Sequence, residues 1–361
     1  MKRARTRAHR LQLSFDIAGL PMLSEFSLIE RYFSQPATTR RAPAARNSGE
    51  DAGATLGIGD DCALLAPKRG QQLAISTDML VAGRHFFPDV SPFALGHKAL
   101  AVNLSDLAAM GAAPRAFTLA LSMPKAEESW LQAFSDGLFR MANAHGCELI
   151  GGDTTGGPHV TISITVFGDV PAARALRRDA ARPGDDIWVS GQLGNARAGL
   201  GIKRQEWSVK DAASEAIAIK ALEQPEPRVA LGIALRGVAH AALDLSDGLA
   251  GDLLHILKRS NMRATVDVDL VPRSPVIDAL PAAAQLPCVL AGGDDYELCF
   301  TAPVEARAKI QRSAKQVGVL VTRIGTIEGL AALTDTPAID WRNHAGPVSF
   351  TASGYDHFHA D

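Results

Sequence analysis

The residues best suited to chemistry in this 361-residue chain are its aspartates, which recur in short clusters flanked by glycine or serine. The clusters are Gly59-Asp60-Asp61, Ser76-Thr77-Asp78, Ser105-Asp106, Gly151-Gly152-Asp153, Asp244-Leu245-Ser246-Asp247 and Gly292-Gly293-Asp294-Asp295. Most stand at the end of an apolar, strand-like segment. One Asp beside Gly is ordinary turn chemistry. Several in one chain are harder to dismiss, because loops at strand ends can bring carboxylates together, and close carboxylates repel unless a cation sits among them. Hard oxygen ligands select Mg²⁺ or Ca²⁺ over zinc, and Mg²⁺ on few carboxylates is a common grip on polyphosphate. The expectation is a magnesium–phosphate site.

Those acids need elements to position them. Apolar Phe26, Leu28, Ile29, Tyr32 and Phe33 have near-helical spacing. Strand-like stretches lie at 62–66, 72–77, 116–122 and 160–168, with helices over about 92–111 and 126–145 between them. Leu100, Leu104 and Leu107 form the packing stripe of the first of these helices. Asn103 and Asp106, three residues apart, share another face, where they are either functional or a solvent-facing amide and a surface acid. After a Pro-bounded basic connector at 171–184 the second half repeats the pattern. It has strands at 186–190, 239–245, 264–269 and 297–302, and helices near 194–204, 211–223, 248–260 and 304–317. The predicted class is α+β in two domains, 23–172 and 173–361, after a tail over 1–22. Asp244 and Asp247 flank the turn that opens the 248–260 helix. Ser246 or Asp247 can cap that helix, and its N-terminus is also a ready anion site.

Other nucleotide signatures are missing: there is no G-x-x-x-x-G-K-[ST] and no protein-kinase motif set. Asp267-Val-Asp269 imitates an aspartyl-phosphate motif but lies on an alternating strand where outward acids are expected. A formal net charge of −2 gives no long-range field for nucleic acid or an anionic membrane, so neither is expected as a partner. With 47% hydrophobic and 21% charged residues the chain can bury a large core. Its four cysteines, Cys62, Cys147, Cys288 and Cys299, form no C-x-x-C pair. They read as reduced thiols, for which the cytoplasm is the natural compartment. Residues 1–21 lack an apolar h-region and read as a tail or an upstream start, and 36–54 reads as a surface loop.

Taken together the segments EFSLIERYF (25–33), LGIGDDCALL (56–65), LAISTDMLVAGRHF (73–86), KALAVNLSDLAAMGA (98–112), LIGGDTT (149–155), ALDLSDGL (242–249), AGGDDYELCF (291–300) and GYDHF (354–358) resemble the thiamine-monophosphate kinase family. That family belongs to a superfamily with aminoimidazole ribonucleotide synthetase and selenophosphate synthetase, ATP users without a P-loop. The resemblance implies an N-terminal α+β domain that pairs in a homodimer, a C-terminal α/β domain, and a cleft between them. It implies ATP-dependent phosphorylation of thiamine monophosphate to thiamine diphosphate, the last step of making that coenzyme. It also implies several Mg²⁺ ions held by Asp61, Ser76, Thr77, Asp78, Asp106, Asp153, Asp244 and Asp247. By the same resemblance Gly152, Asp153, Arg178 and Ser246 contact ATP, while His85, Asp294 and Tyr355 line the thiamine monophosphate pocket. The family commonly has Gly-Gly-Glu-Asp-Tyr-Glu where this chain has Asp294, so the first acid reaches one methylene less far. Another ATP-dependent enzyme of the superfamily, or a non-enzymatic nucleotide-binding subunit, is the alternative. No general base is expected, because the acceptor is a phosphate whose second pKa near 6 leaves an anionic oxygen at neutral pH.

Overall fold

The computed structural model describes residues 25–34, 54–58, 61–330, 332 and 335–350. The 1–22 tail, most of the 36–54 loop, Asp60 and Tyr355 lie outside the described residues.

Helix α1 (Glu25–Leu28) runs on as a π turn over Ile29–Phe33, and β1 (Ala54–Leu56) pairs antiparallel with β2 (Leu64–Leu65). A four-stranded sheet follows, built from β3 (Gln71–Val81), β4 (Ala113–Met123), β5 (Glu148–Gly156) and β6 (Thr161–Pro171). Its order is β3-β6-β4-β5, with β4 and β5 parallel and the other pairs antiparallel. The even-numbered residues of β3 face helix α2 (Pro92–Ala109), against which α3 (Glu128–His145) packs. The odd-numbered ones face outward, leaving Leu73, Ile75 and Met79 exposed.

No strand is expected at 148–156, yet β5 runs there. Its Gly-Gly-Asp centre has poor strand propensity, and pairing with β4 overrides it. Gly151-Gly152-Asp153 therefore sits inside a strand rather than after one, as does Ser76-Thr77-Asp78 in β3. Gly152 is required by contact, since a Cβ there would collide with the Leu119 carbonyl on β4.

The second sheet has seven strands: β7 (Asp186–Ser190), β8 (Ala241–Asp244), β9 (Met262–Asp267), β10 (Leu298–Ala302), β11 (Val321–Gly329), β12 (Ile339–Asn343) and β13 (Gly346–Pro347). Their order is β13-β12-β9-β11-β7-β10-β8, antiparallel except for β12 beside β9. Around it lie α4 (Asn195–Lys203), α5 (Ala212–Glu223), α6 (Val229–Leu235), α7 (Leu249–Ser260), α8 (Pro275–Asp278), α9 (Ala282–Ala291) and α10 (Arg307–Gln316). The whole is the expected two-domain α+β architecture. Cys147, Cys288 and Cys299 are buried free thiols and Cys62 is an exposed one. Among the described residues no helix is long and apolar enough to cross a membrane.

Helix α2 is the shared element. Leu100, Leu104 and Leu107 are buried as expected, but so is every residue from Ala94 to Ser105, so the helix packs on all sides rather than along a stripe. Glycines allow this. A Cβ on Gly96 would strike the Phe134 carbonyl of α3, and one on Gly137 of α3 would strike the Phe93 carbonyl of α2. From the other sheet's side, Gly232 of α6 presses on the Ala108 carbonyl in the same way. Without side chains at the crossings the helix backbones meet directly, which fixes α2 against both halves.

Candidate functional site

A cleft of about 1220 Å³ opens between the two sheets. Asp78 from β3, His85 after it, Asp106 from α2, Asp244 and Asp247 around the end of β8, and Asp294 before β10 all line it. The predicted residues thus arrive from both halves of the chain.

At one end two carboxylates are held by serine side chains of β3 and α2. Ser76 Oγ donates to Asp106 Oδ2, and Ser105 Oγ donates to Asp244 Oδ2 at 2.7 Å. Asn103 is neither solvent-facing nor in the cleft. Its Oδ1 accepts from the Asp78 N–H at 3.0 Å and its Nδ2 donates to the Ala99 carbonyl at 2.9 Å, pinning β3 to the helix. Burial, then the charge of Asp106, pushes the Asp78 carboxyl up to about 6. Burial and then Asp106 push Asp244 up to about 7. Asp106 is itself raised by burial, against the Ser76 hydrogen bond and the nearby Arg178. Mutual repulsion and desolvation are what a bound cation relieves, so the donor set fits a hard divalent ion. As placed, no three His, Cys, Asp or Glu side chains among the described residues form a closed ligand group.

Two further acids shape the loops around the cleft, and the sequence reading does not single them out for this. Asp252 Oδ2, on the first turn of α7, accepts from the backbone N–H groups of Ser246, Asp247 and Gly248 at 3.0, 3.0 and 3.1 Å. Burial, partly offset by those bonds, pushes its carboxyl up to about 7. This corrects two expectations. Neither Ser246 nor Asp247 caps α7, whose N-cap is Gly248 at φ 107°, and the anion position at its start is filled by the chain's own carboxylate. Asp295 does the same for α4, taking the Gly194 N–H at 3.0 and 2.9 Å with its two oxygens. The only local hints are an acid four residues after Gly248 and the second acid of Gly-Gly-Asp-Asp.

The loop before β10 lies along the loop after β8: Asp294 N–H donates to Ser246 O at 2.9 Å and Tyr296 N–H to Leu245 O at 2.8 Å. Asp294 and Tyr296 adopt left-handed backbone conformations, φ 66° and 49°, unusual for residues with a Cβ. Asp294 is met by two side chains, Lys98 Nζ at 3.1 Å on Oδ2 and Tyr296 Oη at 3.0 Å on Oδ1. His85 also lines the cleft, and its Nδ1 accepts the Val81 N–H at 3.0 Å.

A second cleft, of about 410 Å³, is lined by Ser76, Asp106, Arg177, Arg178, Asp179 and Arg259, among others. Arg177 is committed to Asp179, with its Nε donating at 2.8 Å. Arg178 faces Asp106 and His255 instead. Asp106 borders both clefts and so forms the wall between them.

Other predicted residues stand apart. Asp61 is exposed in a bend before β2. Thr77 points to the outer face of the four-stranded sheet, with its Oγ1 2.8 Å from Thr165 Oγ1. Asp153 is level with Met79 through Ser163 and Ala120, so it shares that outer face on the opposite edge strand. Three strand spacings, about 14 Å, separate β5 from β3, and Asp78 points to the other face. Within one chain Asp153 and Asp78 cannot share an ion. Tyr355 lies outside the described residues.

The pattern described as "AIR synthase related protein, N-terminal domain" matches residues 59–170, and its C-terminal counterpart matches 182–334. A thiamine-monophosphate kinase of Salmonella typhimurium is 46% identical over 335 residues, covering 92% of this chain and 98% of that one. The Haemophilus influenzae thiamine-monophosphate kinase is 40% identical over 339 residues, covering 93% and 98%. Among solved structures, the thiamine-monophosphate kinase of Stenotrophomonas maltophilia aligns with a TM-score of 0.77 and 45% identity over 88% of this chain and 97% of that one. A chain described as "AaThiL complexed with AMPPCP and TMP" aligns with a TM-score of 0.67 and 29% identity over 76% and 85%.

Proposed function

This chain belongs to the AIR synthase related proteins and, among them, to the thiamine-monophosphate kinases, and from that footing we propose that its two clefts are the two halves of one phosphoryl-transfer site. The reaction is transfer of the γ-phosphoryl group of ATP to the phosphate of thiamine monophosphate, giving ADP and thiamine diphosphate in the last step of making that coenzyme. The observation that carries this reading is the position of Asp106, a wall common to both clefts.

The smaller cleft takes the nucleotide, with Arg178 turned to its phosphates while Arg177 stays paired with Asp179. The larger takes the acceptor. Asp78, Asp106, Asp244 and Asp247 hold magnesium, which supplies the charge neutralisation that lets two polyanions approach. Residues 23–172 contribute the first two acids and 173–361 the others, so the reacting groups meet at the seam. Ser76 and Ser105 orient Asp106 and Asp244, and the Asp252 carboxylate holds the Ser246–Gly248 backbone in place. His85 lines the acceptor's cleft beside them. No side chain need remove a proton, because the acceptor oxygen is already anionic. Transfer is direct and in line, since the chain's work is alignment and relief of repulsion.

The site draws on a second copy of the chain. The outer face of the four-stranded sheet exposes Leu73, Ile75 and Met79 at 45%, 60% and 55%. A second sheet packed there would cover them and bring Gly152 and Asp153 of the partner subunit toward Thr77.

Purified protein with ATP, thiamine monophosphate and Mg²⁺ makes thiamine diphosphate, and Asp247→Asn abolishes it. No product from the wild type would sink the reading. ATP made chiral at the γ-phosphorus gives inversion in the product, whereas retention would mean a phospho-enzyme. Mixing inactive Asp106→Asn and Asp153→Asn chains restores part of the activity if Asp153 serves the partner, and none if it serves its own chain.

A further inference from the structure

Lys98 is the one Lys or Arg of helix α2, and its side chain is only 4% exposed. Burying an ammonium is costly unless it is paired and hydrogen-bonded. Two partners meet it here: the Leu222 carbonyl of α5 at 3.0 Å and Asp294 Oδ2 at 3.1 Å. An ammonium has three N–H groups, so one remains for the cleft that Lys98 lines. Asp294 is similarly part-used. Each of its oxygens takes one donor, Tyr296 Oη or Lys98 Nζ, and each keeps acceptor capacity toward the cleft, where the side chain is 32% exposed.

The result is a donor and an acceptor side by side with no net charge between them. A free carboxylate would suit a cation. One already neutralised by Lys98 suits a neutral group with the opposite pattern, a ring nitrogen that accepts beside an exocyclic amine that donates. A 4-aminopyrimidine has that edge.

Position agrees. Lys98, Val102 and Asp106 all line the cleft from one face of α2. Eight residues at 1.5 Å rise put Lys98 about 12 Å from the turn that carries Asp106. With the acceptor's phosphate at Asp106, its thiazole lies over the apolar Val102 and its pyrimidine reaches Lys98. The left-handed backbone at Asp294 and Tyr296, tied to Ser246 and Leu245, holds the acceptor half of the pair in register with the metal loop.

We propose that Lys98 and Asp294 together read the aminopyrimidine edge of the acceptor, with Tyr296 as a positioning residue for Asp294. The inference rests on the thiamine monophosphate reading above.

The test compares thiamine monophosphate with 4-methyl-5-(2-phosphoethyl)thiazole, which keeps the phosphate and thiazole and lacks the pyrimidine. In Lys98→Met the KM for thiamine monophosphate rises about 10- to 100-fold, with the KM for ATP within about twofold of wild type. The inhibition constant of the thiazole phosphate stays within the same twofold. Lys98→Arg, which keeps a buried donor, recovers part of the loss. Tyr296→Phe gives a smaller rise, about threefold to fivefold, again confined to the ligand with the pyrimidine. Equal weakening of both ligands would reduce Lys98 to a structural role and overturn the proposal, as would no change in either. If Lys98→Met fails to fold, Lys98→Arg and Tyr296→Phe decide on the same two ligands. Absence of turnover in the wild type would overturn the kinase reading instead, so the two failures are distinct.

Discussion

The two ends of the large cleft treat charge in opposite ways. At the Asp106 end, acids come together from β3, α2 and β8, serine hydroxyls donate to those of α2 and β8, and burial and repulsion push the carboxyls up. At the Lys98 end, twelve ångströms or so away along α2, the acid is answered within the chain by an ammonium and a phenol. On the proposed reading, the first end is completed by a cation. The second is complete and rigid beforehand. Chemistry that must exchange metal and phosphate at every turnover needs the former, whereas selecting a neutral ring needs the latter.

The sharpest way to break this contrast is Asp106→Asn. Activity falls at least about 1000-fold, because metal-held charge neutralisation is worth several kcal/mol in the transition state. Yet the metal-free protein becomes more stable at pH 7.5, because a buried repulsive charge is gone. Thermal unfolding in chelator checks the second half, and a lower midpoint than wild type would refute it. Lys98→Met should move the other way, losing stability along with acceptor affinity, because it strands Asp294.

Asp252→Ala is expected to cost about 2–3 kcal/mol in denaturant unfolding and to lower turnover about 10- to 100-fold, since three N–H groups lose one acceptor. Unchanged turnover would mean that the Ser246–Asp247 loop keeps its shape without that carboxylate. Arg178→Ala should raise the KM for ATP about tenfold while Arg177→Ala leaves it within about twofold, because only Arg177 is spoken for by Asp179.

The smallest effect is in pH. The carboxyls of Asp78 and Asp244 sit at about 6 and about 7, above the 3.8 of a free aspartate. Between those values the folded chain holds protons that the unfolded chain has released, so stability falls as pH rises. In chelator the midpoint should drop by about 5 °C between pH 5 and 7.5, and Mg²⁺ should remove most of the slope. A flat profile in chelator would show that neither burial nor repulsion raises these carboxyls.

The acid clusters were legible because each is local, a few residues beside glycine or serine, and the 241–260 strand, turn and helix could be placed from pattern alone. What pattern could not show was pairing across the chain. Lys98 sits in an apolar run as if by accident until Asp294, nearly two hundred positions later, is seen beside it. Asn103 could be read either as functional or as a surface amide, because nothing local says that β3 lies against that face. Asp153 read as a loop acid since Gly-Gly-Asp suppresses strand propensity, and only the ladder with β4 reveals the edge strand. Most acids that line the cleft were visible and the residues that hold them were not, because holding is a long-range property.

Helix α2 carries one more consequence. Its spacing of Lys98 to Asp106 is quantised: deleting a single residue between them would shorten the span by only about 1.5 Å but turn the far end by about 100°. Asp106 would swing out of the cleft, and glycine crossings with α3 and α6 leave the helix no room to roll back. A lineage adapting this scaffold to a longer or shorter acceptor could therefore not edit the helix in small steps. It would have to change side chains at its ends, trading one reach for another, while the length of the shaft stayed fixed.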